Sequence, residues 1–218
     1  MDSIFTPEFG TKDKQELVKT GTTTVGIICK DCVVMAADKR ATAGHLIANK
    51  KTEKVRPVTD HIVVTTAGGV ADLQLLYKYL HAELKLKLIR GGRHATVKEA
   101  ANLLSSWVYN IVRRSYSVVH FLVGGYDTKP QLFDVYPDGS TMDVDDYLAS
   151  GSGSVFALGV LENKYKNGLS KEEGVQLALE AINAALARDS ASGNGVDVFV
   201  TDAKGTEQAV SKEILTTV

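Results

Sequence analysis

The chain of 218 residues is 44% hydrophobic and 23% charged, a profile that suits a soluble globular protein with one substantial core. Lysine plus arginine (25) nearly balances aspartate plus glutamate (26), so no strong net field exists to hold a nucleic-acid backbone or an anionic membrane, and neither is an expected partner. The first 21 residues lack the charged-then-apolar order of a secretory signal, and no later segment is apolar long enough to span a bilayer, which predicts a cytoplasmic protein.

Residues 1–21 are polar and contain Pro7, Gly10 and Gly21, whereas β-branched residues crowd the sequence from Thr22 onward. That break predicts a leader, residues 1–21, joined to a single folded domain, residues 22–218. Thr22 to Cys29 and Cys32 to Ala37 read as two strands of a hairpin that turns at Lys30-Asp31. Cys29 and Cys32, the only cysteines, form a lone C-x-x-C with no second ligand pair at matched spacing, so they read as apolar strand residues flanking the turn. Thr52, Lys54 and Arg56 alternate as one face of a further strand would, and His61 to Thr66 reads as another, ending at Gly68-Gly69.

Two long amphipathic helices follow. Val70, Leu73, Leu76, Leu80, Leu84 and Leu88 recur at spacings of three and four until Gly91-Gly92 stops the pattern; Val97, Ala100, Ala101, Leu104, Trp107, Val108, Ile111 and Val112 share one face of the second. Val118 to Val123 and Gln131 to Tyr136 read as strands around a turn with Asp127 and Pro130, and Asp138-Gly139 signals another turn. Helices are predicted near 154–165 and 171–188, and Val196 to Thr201 closes the sheet region. Strands in blocks followed by paired helices, twice over, do not alternate as a parallel β-α-β fold would. Two antiparallel sheets packed face to face with helices outside satisfy every apolar stripe.

Common catalytic signatures are missing: there is no G-x-S-x-G elbow, no phosphate-binding G-x-x-x-x-G-K-[ST] loop and no H-E-x-x-H. What remains is Lys19-Thr20-Gly21-Thr22-Thr23-Thr24-Val25-Gly26 at the junction of leader and domain, and Asp38-Lys39-Arg40-Ala41-Thr42-Ala43-Gly44 after the second strand. With Lys54, Thr66-Ala67-Gly68-Gly69, Gly124-Gly125-Tyr126-Asp127, Gly151-Ser152-Gly153-Ser154 and Arg188-Asp189-Ser190-Ala191-Ser192-Gly193, these segments resemble, in order and over nearly all of residues 22–200, the proteasome β subunits of archaeal type.

The resemblance implies a four-layer α-β-β-α sandwich of the N-terminal nucleophile hydrolase fold and a threonine endopeptidase made as a zymogen. Self-cleavage between Gly21 and Thr22 would leave the Thr22 hydroxyl as nucleophile beside its own α-amine as general base. A free α-amine, with a reference pKa of roughly 7.7 to 8.0, suits that task near neutral pH. Lys54 would be the cation that tunes the amine and Asp38 its ion-pair partner, with Gly68 supplying the oxyanion-hole N–H and Ser152, Asp189 and Ser192 surrounding the amine. Ala41, Thr66 and Val70 fall on substrate-pocket positions of the family, and Thr52 and Arg56, which share a strand face with Lys54, should point into the same cleft. Gly21, lacking a Cβ, would take a strained turn that lets the Thr22 hydroxyl reach the carbonyl behind it. Implied partners are proteasome α subunits, sister β subunits in heptameric rings, a regulatory ATPase reached through the α ring, and unfolded polypeptides as substrates; no cofactor or metal is implied. The alternatives are a non-catalytic ring subunit and a small-molecule amidase of the same fold.

Overall fold

The computed structural model describes residues 21–115 and 118–214. The expected leader, with Lys19 and Thr20 of the junction motif, lies outside the described residues except for Gly21. Strands β1 (Thr23–Ile28) and β2 (Cys32–Asp38) form the predicted hairpin, and the Cys29 amide donates to the Cys32 carbonyl across the turn at 2.9 Å. Both cysteines are buried as core residues. A small hairpin of β3 (Ala41–Ala43) and β4 (Leu46–Asn49) follows, then β5 (Val55–Thr59) and β6 (Ile62–Gly68).

Helix α1 (Val70–Gly91) buries Leu73, Leu76, Leu80 and Leu84 and ends where Gly92 turns left-handed, φ 64°, with its amide on the Leu88 carbonyl. Val70, counted in the apolar stripe, is instead 43% exposed. It sits in the first turn of the helix, where it lines a cleft. Helix α2 (Val97–Ser115) is followed by β7 (Val119–Tyr126), β8 (Pro130–Val135), β9 (Thr141–Val144) and β10 (Tyr147–Gly151). Helices α3 (Ser154–Lys164) and α4 (Lys171–Arg188) precede β11 (Gly195–Asp202) and β12 (Gly205–Glu213). A capping box starts α4: the Ser170 hydroxyl accepts from the Glu173 amide while the Glu173 side chain accepts from the Ser170 amide. Replacing Ser170 with alanine removes an acceptor usually worth about 1 kcal/mol.

One antiparallel sheet has the order β10-β1-β2-β11-β12 and the other β5-β6-β7-β8-β9. Alternation along β2 shows how they stack. Val33, Met35 and Ala37 point inward with Val63, Leu122 and Leu132 of the facing sheet, whereas Cys32, Val34 and Ala36 point outward against Leu161 of α3 and Ala178 and Ile182 of α4. On the far side, Val64, Phe121, Val123 and Val135 pack under α1 and α2. The result is the expected four-layer α-β-β-α sandwich of two antiparallel sheets flanked by helices. Each fully buried Leu, Ile or Phe contributes about 1.5–3 kcal/mol of transfer free energy. No described helix is long and apolar enough to cross a membrane.

The register gathers one end of the sandwich. Because β1 runs antiparallel to both neighbours, its first residues face the last of β2 (Thr24 opposite Ala37) and of β10 (Thr23 opposite Gly151). The first residues of β11 meet the end of β2 from the other side, Val196 opposite Asp38.

Candidate active site

Thr22 lies at that end, just ahead of β1, and is 4% exposed. Its hydroxyl donates to the carbonyl oxygen of Gly21, the residue behind it, at 2.6 Å. The same oxygen accepts from Lys54 Nζ at 3.0 Å, and Lys54 Nζ also donates to Asp38 Oδ1 at 2.8 Å. One ammonium therefore bridges a carboxylate and the Gly21 carbonyl. Burial pulls the Lys54 ammonium below the ordinary lysine range; the neighbouring Asp38, and more weakly Asp189, oppose that shift by favouring the charged form.

Asp38, 1% exposed, is fixed by backbone donors as well as by Lys54: the Thr23 amide binds Oδ1, and the Arg40 and Gly193 amides bind Oδ2, at 2.9 to 3.0 Å. These donors hold both carboxylate oxygens in place beside Lys54. Lys54 and Thr52 do not sit in a strand, as their alternation suggested. They precede β5, which starts at Val55, although the Lys54 carbonyl still accepts from the Thr66 amide. Thr52, Lys54 and Arg56 nevertheless reach one cleft.

The Thr22 nitrogen faces a second cluster. It donates to Ser152 Oγ at 3.2 Å, and Ser152 Oγ donates to Asp189 Oδ2 at 2.6 Å. Ser192 Oγ donates to the same carboxylate oxygen at 2.7 Å and lies 2.7 Å from Thr23 Oγ1. Since each serine has one proton and the carboxylate can only accept, Thr23 supplies the proton of the last bond. Ser152 leaves the α3 N-terminus uncapped: the N-cap is Gly153, with no side-chain cap bond. Its hydroxyl is committed to Asp189, which is itself the C-cap residue of α4.

Two glycines are required for different reasons. Gly68 has φ 122°, and a Cβ there would come within 2.1 Å of the Val118 carbonyl oxygen. Close approach is what demands glycine: a Cβ at Gly21 would lie 1.9 Å from Ala191 Cβ and 2.6 Å from the Ala191 carbonyl oxygen.

All five expected pocket residues, Ala41, Thr66 and Val70 from the resemblance and Thr52 and Arg56 from their alternation with Lys54, line one cleft with Gly21, Thr22, Lys54 and Gly68. Leu73, Gln74 and Tyr77 of α1 and the neighbouring Glu53 complete it. Arg56 does not offer a free cation there. Its Nε donates to the Glu53 carbonyl at 3.1 Å and lies 3.5 Å from the Glu53 carboxylate, and its guanidinium sits 5.5 Å from the centre of the Tyr77 ring.

Sequence reasoning gave no role to Arg40 or Thr42, although both stand in the Asp38–Gly44 segment it singled out. Arg40 braces the loop after α4, with Nε on Asn194 Oδ1 at 2.8 Å and a terminal nitrogen on the Ser190 carbonyl at 2.9 Å. Thr42 Oγ1 accepts from the Gly21 amide at 2.7 Å.

A family model described as "Proteasome subunit" matches residues 18–201. The chain is 43% identical over 195 residues to a proteasome subunit beta of Ferroglobus placidus, covering 89% of this chain and 92% of that one. It is 42% identical over 194 residues to a proteasome subunit beta 2 of Aeropyrum pernix, with 89% and 88% covered, and 45% identical over 184 residues to a proteasome subunit beta of Methanocorpusculum labreanum, with 84% and 86% covered.

Proposed function

Because the chain belongs to the proteasome subunit family, we propose that it is a self-processing threonine endopeptidase that removes residues 1–21 and then hydrolyses unfolded polypeptides with Thr22. The observation that carries this reading is the Gly21 carbonyl oxygen, bonded at once by the Thr22 hydroxyl and by the Lys54 ammonium.

In self-cleavage the Thr22 oxygen attacks the Gly21 carbonyl carbon, and charge developing on the carbonyl oxygen is met by Lys54. The C–N bond breaks, the Thr22 nitrogen takes up the proton and becomes an amine, and Gly21 is left as an ester on Oγ. Water then hydrolyses the ester, releasing the leader with a C-terminal carboxylate and restoring the Thr22 hydroxyl. The new amine starts with its hydrogen bond to Ser152, whose own proton is held by Asp189, so the nitrogen donates there and keeps its lone pair for the hydroxyl proton. Substrate hydrolysis repeats the attack on a foreign carbonyl, with Lys54 holding the amine's proton affinity down and the Gly68 N–H serving the oxyanion.

The cleft supports a neutral, small or medium side chain on the acyl side of the cut, because Ala41, Val70 and Leu73 offer apolar contact and Glu53 compensates Arg56. Confinement of such a broadly accepting site within heptameric rings of β subunits, capped by α rings and fed by a regulatory ATPase, keeps it from folded cytoplasmic proteins. Mass spectrometry of active particles should find Thr22 as the N-terminus. The Thr22→Ala chain should fold and assemble yet keep its leader and hydrolyse nothing; active particles that retain residues 1–21 would rule out the free-amine mechanism, and processed particles without peptidase activity would favour a ring-building role.

A further inference from the structure

Gly21 is held on both of its peptide planes. Its carbonyl, in the plane to be cut, is bonded by Thr22 and Lys54; its amide, in the preceding plane, donates to Thr42 Oγ1 at 2.7 Å. Thr42 belongs to the short strand β3 and is 6% exposed. Ala191, on the loop after α4, closes the remaining side so tightly that no Cβ fits on Gly21. Only φ and ψ of Gly21 connect the two planes, and glycine has more freedom in those torsions than any other residue. Anchoring its amide fixes one of the two planes, so that with Ala191 alongside fewer combinations of φ and ψ are left by which the scissile carbonyl can turn off Lys54.

We propose that Thr42 is a positioning residue for removal of the leader, its hydroxyl holding the Gly21 amide so that the scissile carbonyl stays between Thr22 Oγ and Lys54. The inference rests on the self-processing reading and deepens it. It also separates two reactions that share one nucleophile. A substrate residue with a side chain cannot enter the slot beside Ala191, so it must lie displaced toward Val70 and Leu73, away from the position from which Gly21 reaches Thr42. The Thr42 hydroxyl thus serves self-cleavage and not the later turnover of substrates.

The test compares wild type, Thr42→Val and Thr42→Ser as full-length chains assembled with their ring partners, following leader loss by intact mass over time. In parallel, peptide hydrolysis is measured on particles whose Thr22 was exposed by cleaving a removable fusion placed directly before it. Losing one hydrogen bond and the alignment it supplies is expected to slow leader loss in Thr42→Val by roughly ten- to a hundredfold. Thr42→Ser, which keeps the acceptor, should restore it to within roughly threefold, and the pre-exposed Thr42→Val particle should hydrolyse peptide with kcat and KM within that same margin. Leader loss in Thr42→Val at the wild-type rate overturns the proposal. So does an equal fall in leader loss and peptide hydrolysis, or failure of serine to rescue. If the wild-type chain never loses its leader, or Thr22→Ala loses it equally fast, the self-processing reading itself fails, an outcome distinct from all of these.

Discussion

Replacing Lys54 with methionine keeps most of the side chain's volume while deleting the ammonium that joins Asp38 to the Gly21 carbonyl. Removing one partner of a buried pair ordinarily costs about 3–5 kcal/mol, because the other charge is left uncompensated. Asp38 retains the amides of Thr23, Arg40 and Gly193, so the cost should fall at the lower end, about 3 kcal/mol. For a domain of this size that is a fall in Tm of roughly 6–12 °C, which leaves the chain folded at ordinary assay temperature. The effect on chemistry should be larger than the effect on folding. Loss of one preorganised donor at a developing oxyanion costs about 10²–10³-fold, and the Gly21 carbonyl loses its only cationic donor among the described residues. Leader loss, followed by intact mass alongside thermal melts, should therefore slow by about 10²–10³-fold in a particle that still melts cooperatively. Asp38→Asn, which keeps the shape but removes the counter-charge, should fall in the same direction. A folded Lys54→Met particle that sheds its leader within roughly threefold of the wild-type rate would refute the role given to Lys54, since so small a change lies below one ordinary hydrogen bond.

Gly21→Ala should stall self-cleavage by about a hundredfold or more while the fold survives, because the added Cβ meets Ala191 backbone that cannot rotate away; gel-resolved processing in a time course checks it. The profile of kcat/KM against pH should be bell-shaped, with an acid limb from the Thr22 amine and an alkaline limb, where Lys54 loses its proton, that lies below the ordinary lysine value. In stability the sign follows the same shift. The cost of burying the charged Lys54 is present in full below its folded-state value and is relieved as pH rises from there toward the unfolded-state value; wild type should gain stability relative to Lys54→Met across that window, read from urea midpoints. Arg56→Ala should leave turnover of peptides cut after leucine within roughly threefold and give no selective loss after glutamate, because Glu53 already compensates the guanidinium; a loss confined to the acidic fluorogenic peptide would show that Arg56 breaks from Glu53 to bind substrate.

Residues with strong periodicity were legible in the sequence without help. The leucines of α1 and the run from Lys171 to Arg188 announce helices by spacing, and Lys30-Asp31 between two β-branched runs announces the β1–β2 hairpin, because in these elements the side chains themselves carry the free energy of burial. Strands β4 and β12 leave little such trace. β4 is exposed throughout and β12 nearly so, each held to its neighbour chiefly by backbone bonds, which impose no pattern on side chains. The candidate site divides in the same way. Family resemblance supplied Thr22, Asp38, Lys54, Ser152, Asp189 and Ser192 as positions along the chain, with the pocket residues Ala41, Thr66 and Val70, while alternation with Lys54 supplied Thr52 and Arg56. Tertiary structure alone decided that residues as distant as Thr22 and Ser152 meet at 3.2 Å, that close contact with Ala191 requires Gly21, that Arg56 is tied to Glu53, and that Thr42 takes the Gly21 amide. Each of these depends on the antiparallel register bringing separate chain ends to one edge of the sandwich, a three-dimensional coincidence that no local spacing of residues records.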